Sequence, residues 1–249
     1  MKSKKRSKTV LVIPDIHNKT SLADKILQEE TEVDYTVFLG DYFDDFGDDP
    51  KIAEDTAWWL KDRLNDDSRK MVFLNGNHDV SYRFPFSWSV KCSGFTEGKA
   101  KAINKVLSPR DWGKFELVHF EGRTIFSHAG ISRSLFSSKG GVIKKEKIKF
   151  MCRQGLEHAK ADIYDPVLAA SVSRGGGAPW GHAGVTWLDW QENEPIDGWD
   201  QIIGHTPGSN VRIEEDENGW YVACLDTALN HYGVLKNSKL EIRSLKHIA

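Results

Sequence analysis

Thr9-Val10-Leu11-Val12-Ile13-Pro14-Asp15-Ile16-His17 sets the pattern for the rest of the chain. A short run of β-branched and aliphatic residues has the composition of a strand covered on both faces, and it stops at an acid and an imidazole. The pattern repeats downstream. Residues 35–39 end at Gly40-Asp41-Tyr42-Phe43-Asp44, 71–74 lead to Gly76-Asn77-His78-Asp79, and 124–126 end at Ser127-His128-Ala129-Gly130. Residues 201–203 end at Gly204-His205-Thr206-Pro207, and 221–225 end at Asp226-Thr227. Between the first two runs lies a helical stretch, 21–30, and between the second and third lies 52–64, with Ala53, Ala57, Leu60 and Leu64 at helical spacing. Strand, helix, strand, helix, strand predicts an α/β fold. Residues 99–107 and 144–161 read as further helices, and 221–245 as antiparallel strands turning at Asn237-Ser238. Two stretches rich in aromatics and glycine, 84–95 and 175–200, are expected as loops able to wall a pocket.

The 34 Lys and Arg residues against 36 Asp and Glu leave a formal net charge of −2, so no global charge draws the chain to nucleic acid or to a membrane surface. At 39% hydrophobic and 28% charged residues the composition is that of a folded globular protein, and no apolar run reaches the roughly 18 residues of a membrane span. Cys92, Cys152 and Cys224 stand far apart without a Cys-x-x-Cys pair. That argues against a disulfide framework and for the reduced thiols of a cytoplasmic protein. Residues 1–8, with Lys2, Lys4, Lys5, Arg6 and Lys8, are expected as a basic disordered tail ahead of a single domain over 9–249.

In an α/β sheet, ligands bind where loops leave the carboxyl ends of the strands. Each strand here delivers metal-ligating or titratable residues to that edge. Asp15, His17, Asp41, Asn77, His128 and His205 together offer two carboxylates, one amide oxygen and three imidazoles. That set is too large for one tetrahedral zinc and too rich in histidine for calcium. Two divalent ions fit it better, with a carboxylate bridging them, a hydroxide between them as nucleophile, and a phosphoryl oxygen polarised by both. The chemistry this predicts is phosphoester hydrolysis.

In this order and spacing the motifs resemble the calcineurin-like metallophosphoesterase superfamily, and most closely its branch of protein phosphatases and diadenosine tetraphosphatases. The resemblance runs from Val10 to about Tyr232. It implies a four-layer α/β (α+β) fold in which two mixed β-sheets pack face to face between helices. It also implies a dinuclear centre holding Mn²⁺ foremost, or Fe, Zn or Ni. Carried over by position, Asp15 and His17 bind one ion, Asp41 bridges, and Asn77, His128 and His205 bind the other. His78 is then the general acid that protonates the leaving alkoxide, with Asp44 accepting its other ring N–H.

Two departures stand out. Pro207 occupies a position where many relatives carry a further histidine, which leaves the first ion fewer protein ligands. Asp45 follows Asp44 where protein phosphatases of the superfamily carry the arginine that grips the substrate phosphate. Arg174, flanked by Gly175-Gly176-Gly177, and Arg133 are the candidates to replace it. The acids Asp44, Asp45, Asp48 and Asp49 are expected to repel highly anionic substrates. The expected activity is that of a phosphomonoesterase acting on phosphoprotein or a small phosphoester. The alternatives are a nucleotide or dinucleoside polyphosphate hydrolase or phosphodiesterase, and a catalytically silent scaffold.

Overall fold

The computed structural model describes residues 8–136 and 142–245. In chain order the elements are β1 (Thr9–Ile13), α1 (Thr20–Glu29), β2 (Tyr35–Phe38), α2 (Pro50–Leu64), β3 (Met71–Leu74), α3 (Asn77–Arg83), α4 (Glu97–Val106), α5 (Pro109–Trp112) and β4 (Phe115–Glu116). These are followed by β5 (Val118–Glu121), β6 (Thr124–Ser127), α6 (Arg133–Phe136), α7 (Lys145–Lys160), β7 (Asp200–Ile203), β8 (Arg212–Glu215), β9 (Tyr221–Cys224), β10 (His231–Lys236) and β11 (Lys239–Ser244). The basic segment expected to be a disordered tail falls, apart from Lys8, outside the described residues.

The strands form two mixed sheets, ordered β11-β10-β1-β2-β3-β4 and β5-β6-β7-β9-β8. β1 to β4 run parallel, with β10 antiparallel on the other side of β1; in the second sheet β6, β7 and β9 run parallel. Successive side chains of a strand point to opposite faces. Val10 and Val12 therefore enter the layer between the sheets with Val37, Leu74, Phe126 and Ile202. Leu11 and Ile13 face the other way, toward Ile26 of α1, Ala53, Ala57 and Leu60 of α2, and Ile103 of α4. Phe120 and Ile125 of the second sheet pack with Ile148 and Cys152 of α7. Both faces of the central strands are thus covered, which is why their sequences read as unbroken apolar runs. The four-layer α/β expectation is met.

Local chemistry sets the helix starts. Asp49 accepts hydrogen bonds from the N–H groups of Lys51 and Ile52 and is followed by Pro50 at the first helical position. Ser108 and Asp111 form a reciprocal cap on α5, and the Asp111 carboxylate also accepts a 2.8 Å hydrogen bond from Lys61 of α2. Burial opposes ionisation of Asp111, but Lys61 and the Ser108 donors outweigh it and hold the carboxyl at about 2. A depressed carboxyl contributes stability above its ordinary value and loses it below. We therefore expect Asp111→Ala to cost about 1–2 kcal/mol at neutral pH. In urea titrations, the gap to wild type should close as pH falls from 3.8 toward 2.

One expectation needs correction. The stretch 221–245 is not one antiparallel set, because β9 lies in the second sheet, parallel to β7, and only β10 and β11 form the hairpin. That hairpin turns at Asn237-Ser238, both with positive φ. The chain changes sheets after β9 through Ala228 and Leu229, also at positive φ, a crossing that alternation of apolar residues does not encode. The segment after Gly76 forms a further helix, α3. The stretches 84–95 and 175–200 are turns and short 3₁₀ segments, with Phe86, Trp88 and Trp180 exposed. Among the described residues no helix is long and apolar enough to cross a membrane.

Candidate metal centre

The carboxyl ends of β1, β2, β3, β6 and β7 deliver Asp15 and His17, Asp41, Asn77, His128 and His205 to one place. Two glycines preceding ligand residues are explained by crowding there. A Cβ on Gly76 would lie 2.0 Å from Asp41 Oδ1, and one on Gly204 would lie 1.9 Å from Asp15 Oδ1. His17, Asp41, Asp44 and His205 all have φ between 43° and 70°. That left-handed conformation costs non-glycine residues about 1–2 kcal/mol each and collects at functional sites.

His128 is buried, and its Nδ1–H donates to Leu39 O at 3.1 Å, which leaves the Nε2 lone pair facing inward. Around Nε2 stand Asn77 Oδ1 at 3.1 Å, His205 Nδ1 at 3.1 Å and Asp41 Oδ2 at 3.2 Å. Three acceptor atoms thus converge on one ring nitrogen with at most a single proton to share among them, an arrangement a cation relieves. A second set lies beside it. His17 Nδ1–H donates to the carbonyls of Phe43 and Asp44, so its Nε2 faces Asp41 Oδ2 at 3.8 Å and Asp15 Oδ2 at 4.0 Å. Asp41 belongs to both sets. Asp15 is held in place by the His205 backbone N–H, at 3.1 and 3.0 Å from its two oxygens.

The electrostatics agree. Burial pushes the Asp15 carboxyl well above its ordinary range, reinforced by Asp226 and Asp41. Burial also opposes the charge on Asp41, but His128, His78 and His17 outweigh it and hold that carboxyl far down. Burial, then His128 and Arg174, hold His205 well below its usual value and so in the neutral form a metal ligand needs. Oxygen and imidazole donors, one carboxylate common to both sets, and buried charge left uncompensated all fit a pair of divalent transition ions.

His78 stands next to these sets, at the N-terminus of α3. Its Nδ1 lies 2.7 Å from Asp44 Oδ2, the partner that the resemblance implies for it. Burial works against a charged imidazole, but Asp41 and the Asp44 hydrogen bond prevail and hold His78 well above its usual value. Sequence reasoning missed the groups behind this pair. Lys99, only 4% exposed, donates to Asp44 Oδ1 at 2.6 Å and to Asp48 Oδ1 at 2.9 Å, and the Tyr82 hydroxyl donates to Asp44 Oδ1 at 2.6 Å. Asp79, fully buried, accepts the N–H groups of Asp41 and Gly76 at 2.7 Å and of Tyr42 at 3.0 Å. The signal for Asp79 was present, since an acid at the third helical position after a glycine is a capping pattern. Lys99 had none.

Arg174 lies beside the centre. Its Nη2 donates to Thr206 Oγ1 at 2.9 Å and pairs with Asp189 at 2.6 Å, and its charge acts on His205. The structure does not bring Arg133 there. Its guanidinium faces Glu194 and Asp197, and no hydrogen bond or ion pair joins it to the cluster among the described residues. Nor does the acidic cluster present bare charge. Asp44 and Asp48 are met by Lys99, Asp45 by Lys19 at 3.1 Å, and Asp49 by the α2 N–H groups. The repulsion of anionic substrates expected from sequence is therefore largely cancelled inside the protein. Trp187, from the second aromatic stretch, packs edge-on against His205 with ring centroids 5.8 Å apart and walls the site as expected.

Solved structures share the fold. The cold-active protein-tyrosine phosphatase of a psychrophilic Shewanella species superposes with a TM-score of 0.59 at 16% identity, covering 96% of this chain and 81% of that one. The protein serine/threonine phosphatase of Saccharomyces cerevisiae gives 0.52 at 12% identity, covering 99% and 82%. At these identities the likeness is one of fold. No curated protein sequence matches the chain. The family model described as calcineurin-like phosphoesterase, however, matches residues 8–234, from the first strand to the tenth. By that match the chain belongs to the calcineurin-like phosphoesterases, metal-dependent hydrolases of phosphoesters.

Proposed function

We propose that this chain is a phosphomonoesterase with a dinuclear, manganese-preferring centre in a single domain over residues 9–249. The observation that carries the reading is the position of Asp41, shared by two donor sets with His78 at their side. Asp15, His17 and Asp41 would hold one ion, and Asp41, Asn77, His128 and His205 the other. Ions held by these residues would supply Lewis acidity for activating a water and polarising a phosphoryl oxygen. The protein's own part is the proton and the grip. His78 delivers its Nε2 proton to the leaving oxygen while Asp44 fixes the ring through Nδ1. Lys99 and Tyr82 hold the other Asp44 oxygen, so the carboxylate cannot rotate away.

Arg174 grips the substrate phosphate in place of the arginine lost at Asp45. Its anchorage on Thr206 and Asp189 fixes the guanidinium beside His205 and supports this assignment. We expect Arg174→Ala to raise KM for p-nitrophenyl phosphate about tenfold with a smaller change in kcat. The three free cysteines accord with a reducing, cytoplasmic setting.

The test of the whole reading is p-nitrophenyl phosphate hydrolysis by chelator-treated protein, with and without added Mn²⁺. Turnover should vanish on chelation and return with the metal. Absence of turnover with every divalent transition metal would move the silent-scaffold alternative to the front. Once activity is in hand, phosphopeptide against dinucleoside polyphosphate separates the two substrate classes, and a diester substrate separates monoesterase from phosphodiesterase.

A further inference from the structure

Neither donor set uses Cys92, yet the chain brings its thiol to the reactive face of the site. Cys92 Sγ lies 3.5 Å from His78 Nδ1 and 3.3 Å from Ser81 Oγ, and Asp44 Oδ2 lies 2.7 Å from the same His78 nitrogen. One thiol, one imidazole nitrogen and one carboxylate oxygen thus fall within 4.8 Å of one another. The loop carrying Cys92 is pressed onto Asp44 at Gly94, whose φ is +85° and where a Cβ would lie 3.0 Å from Asp44 Cγ. Cys92 itself is partly exposed.

We propose that Cys92, His78 and Asp44 form a third, inhibitory site for a thiophilic divalent cation of the Zn²⁺ or Cd²⁺ class, separate from the two donor sets that serve catalysis. The geometry is close to what such an ion needs. With Zn–S near 2.3 Å and Zn–N near 2.0 Å at tetrahedral angles, the S···N edge is about 3.5 Å. The sulfur and nitrogen already stand at that separation. The O···N edge is about 3.3 Å, so Asp44 Oδ2 has to withdraw by roughly 0.6 Å. Lys99 and Tyr82 occupy Asp44 Oδ1 and leave Oδ2 for the ion.

On binding, the Cys92 thiol and His78 Nδ1 each release a proton to solvent, and the Nδ1–H···Oδ2 hydrogen bond gives way to coordination of the ion by Nδ1. His78 keeps a single proton, on Nε2. A coordinated imidazole cannot carry the second proton that an imidazolium gives to the leaving oxygen, so hydrolysis stops. The thiolate favours Zn²⁺ or Cd²⁺ over Mn²⁺ or Mg²⁺, so the protein runs on a hard ion and is silenced by a soft one. The inhibitory consequence rests on the general-acid role of His78 proposed above; the site itself does not.

The experiment uses Mn²⁺-loaded protein as wild type, Cys92→Ser and Cys92→Ala. Cd²⁺ is titrated while the thiolate-to-metal charge-transfer absorption is followed, and the half-inhibitory Zn²⁺ concentration is measured with p-nitrophenyl phosphate. We expect a saturable band in wild type that both variants lack. Either substitution should raise the half-inhibitory Zn²⁺ concentration about tenfold or more, with the uninhibited rate retained. No band in wild type, or a band kept by both variants, overturns the site. A band lost in the variants with unchanged Zn²⁺ inhibition overturns the inhibitory role while metal-dependent hydrolysis stands. If no metal supports hydrolysis, the proposed function fails and the absorption titration alone decides the site.

Discussion

His78→Ala lowers kcat by about 10² to 10⁴-fold and leaves the bound metal content unchanged. The two halves of this expectation come from different atoms of one residue. The imidazole belongs to neither donor set, so its removal takes away the proton source and no ligand. The His78 backbone N–H, which donates to Asp41 Oδ1 at 3.1 Å, survives the substitution and keeps that carboxylate aligned. Asp44 is not orphaned either, because Lys99 and Tyr82 still satisfy it. Steady-state kinetics with metal analysis of the purified variant is the check. An unchanged kcat would remove the general-acid assignment. Loss of metal together with activity would instead place the imidazole among the ligands.

Asp79→Ala should destabilise the fold by about 3 to 9 kcal/mol, since it strands the buried N–H groups of Asp41, Tyr42 and Gly76 at about 1–3 kcal/mol each. Set against a typical total of about 5–15 kcal/mol, this is a large fraction of the stability. Asp41 keeps other anchors, since its carbonyl still accepts from the Ile16 and His17 N–H groups at 3.0 and 2.9 Å and its Oδ1 from the His78 N–H at 3.1 Å. Urea unfolding followed by tryptophan fluorescence measures the effect, and a loss under about 1 kcal/mol would show that water or a rearranged loop replaces the carboxylate. Burial and the neighbouring Asp41 charge push the Asp79 carboxyl up to about 8. The residue thus serves the site as a rigid acceptor inside the fold rather than as an exposed charge.

Much of the site was legible in the sequence because its residues are tied to strand ends, and strand ends are local. Asp15, His17, Asp41, Asn77, His128 and His205 each follow a short apolar run, and the parallel order β1-β2-β3 and β6-β7 brings those ends to one edge. The Asp44–His78 pair was legible through resemblance. Arg133 and Arg174 looked equivalent as arginines near small residues, and only the tertiary structure separates them. One is anchored by Thr206 and Asp189 next to His205, and the other turns to Glu194 and Asp197. The acidic run Asp44 to Asp49 was misread for a related reason. Its counter-charges are Lys99, more than fifty residues downstream, and Lys19, on the preceding loop, so adjacency in sequence reported the acids without their partners.

Taken alone, the sequence determined most of the element types, the edge at which chemistry gathers and the candidate donor residues. These follow from side-chain periodicity over a few residues and from the residue types placed where each strand ends. The tertiary structure decided which sheet each C-terminal strand joins, which arginine reaches the centre, and which buried groups hold Asp41 and Asp44 in place. Those outcomes depend on contacts between segments far apart in the chain. A lysine on a helix such as Lys99 carries no local mark of the carboxylates it will meet, because its burial energy is set by partners that only folding brings within hydrogen-bond distance.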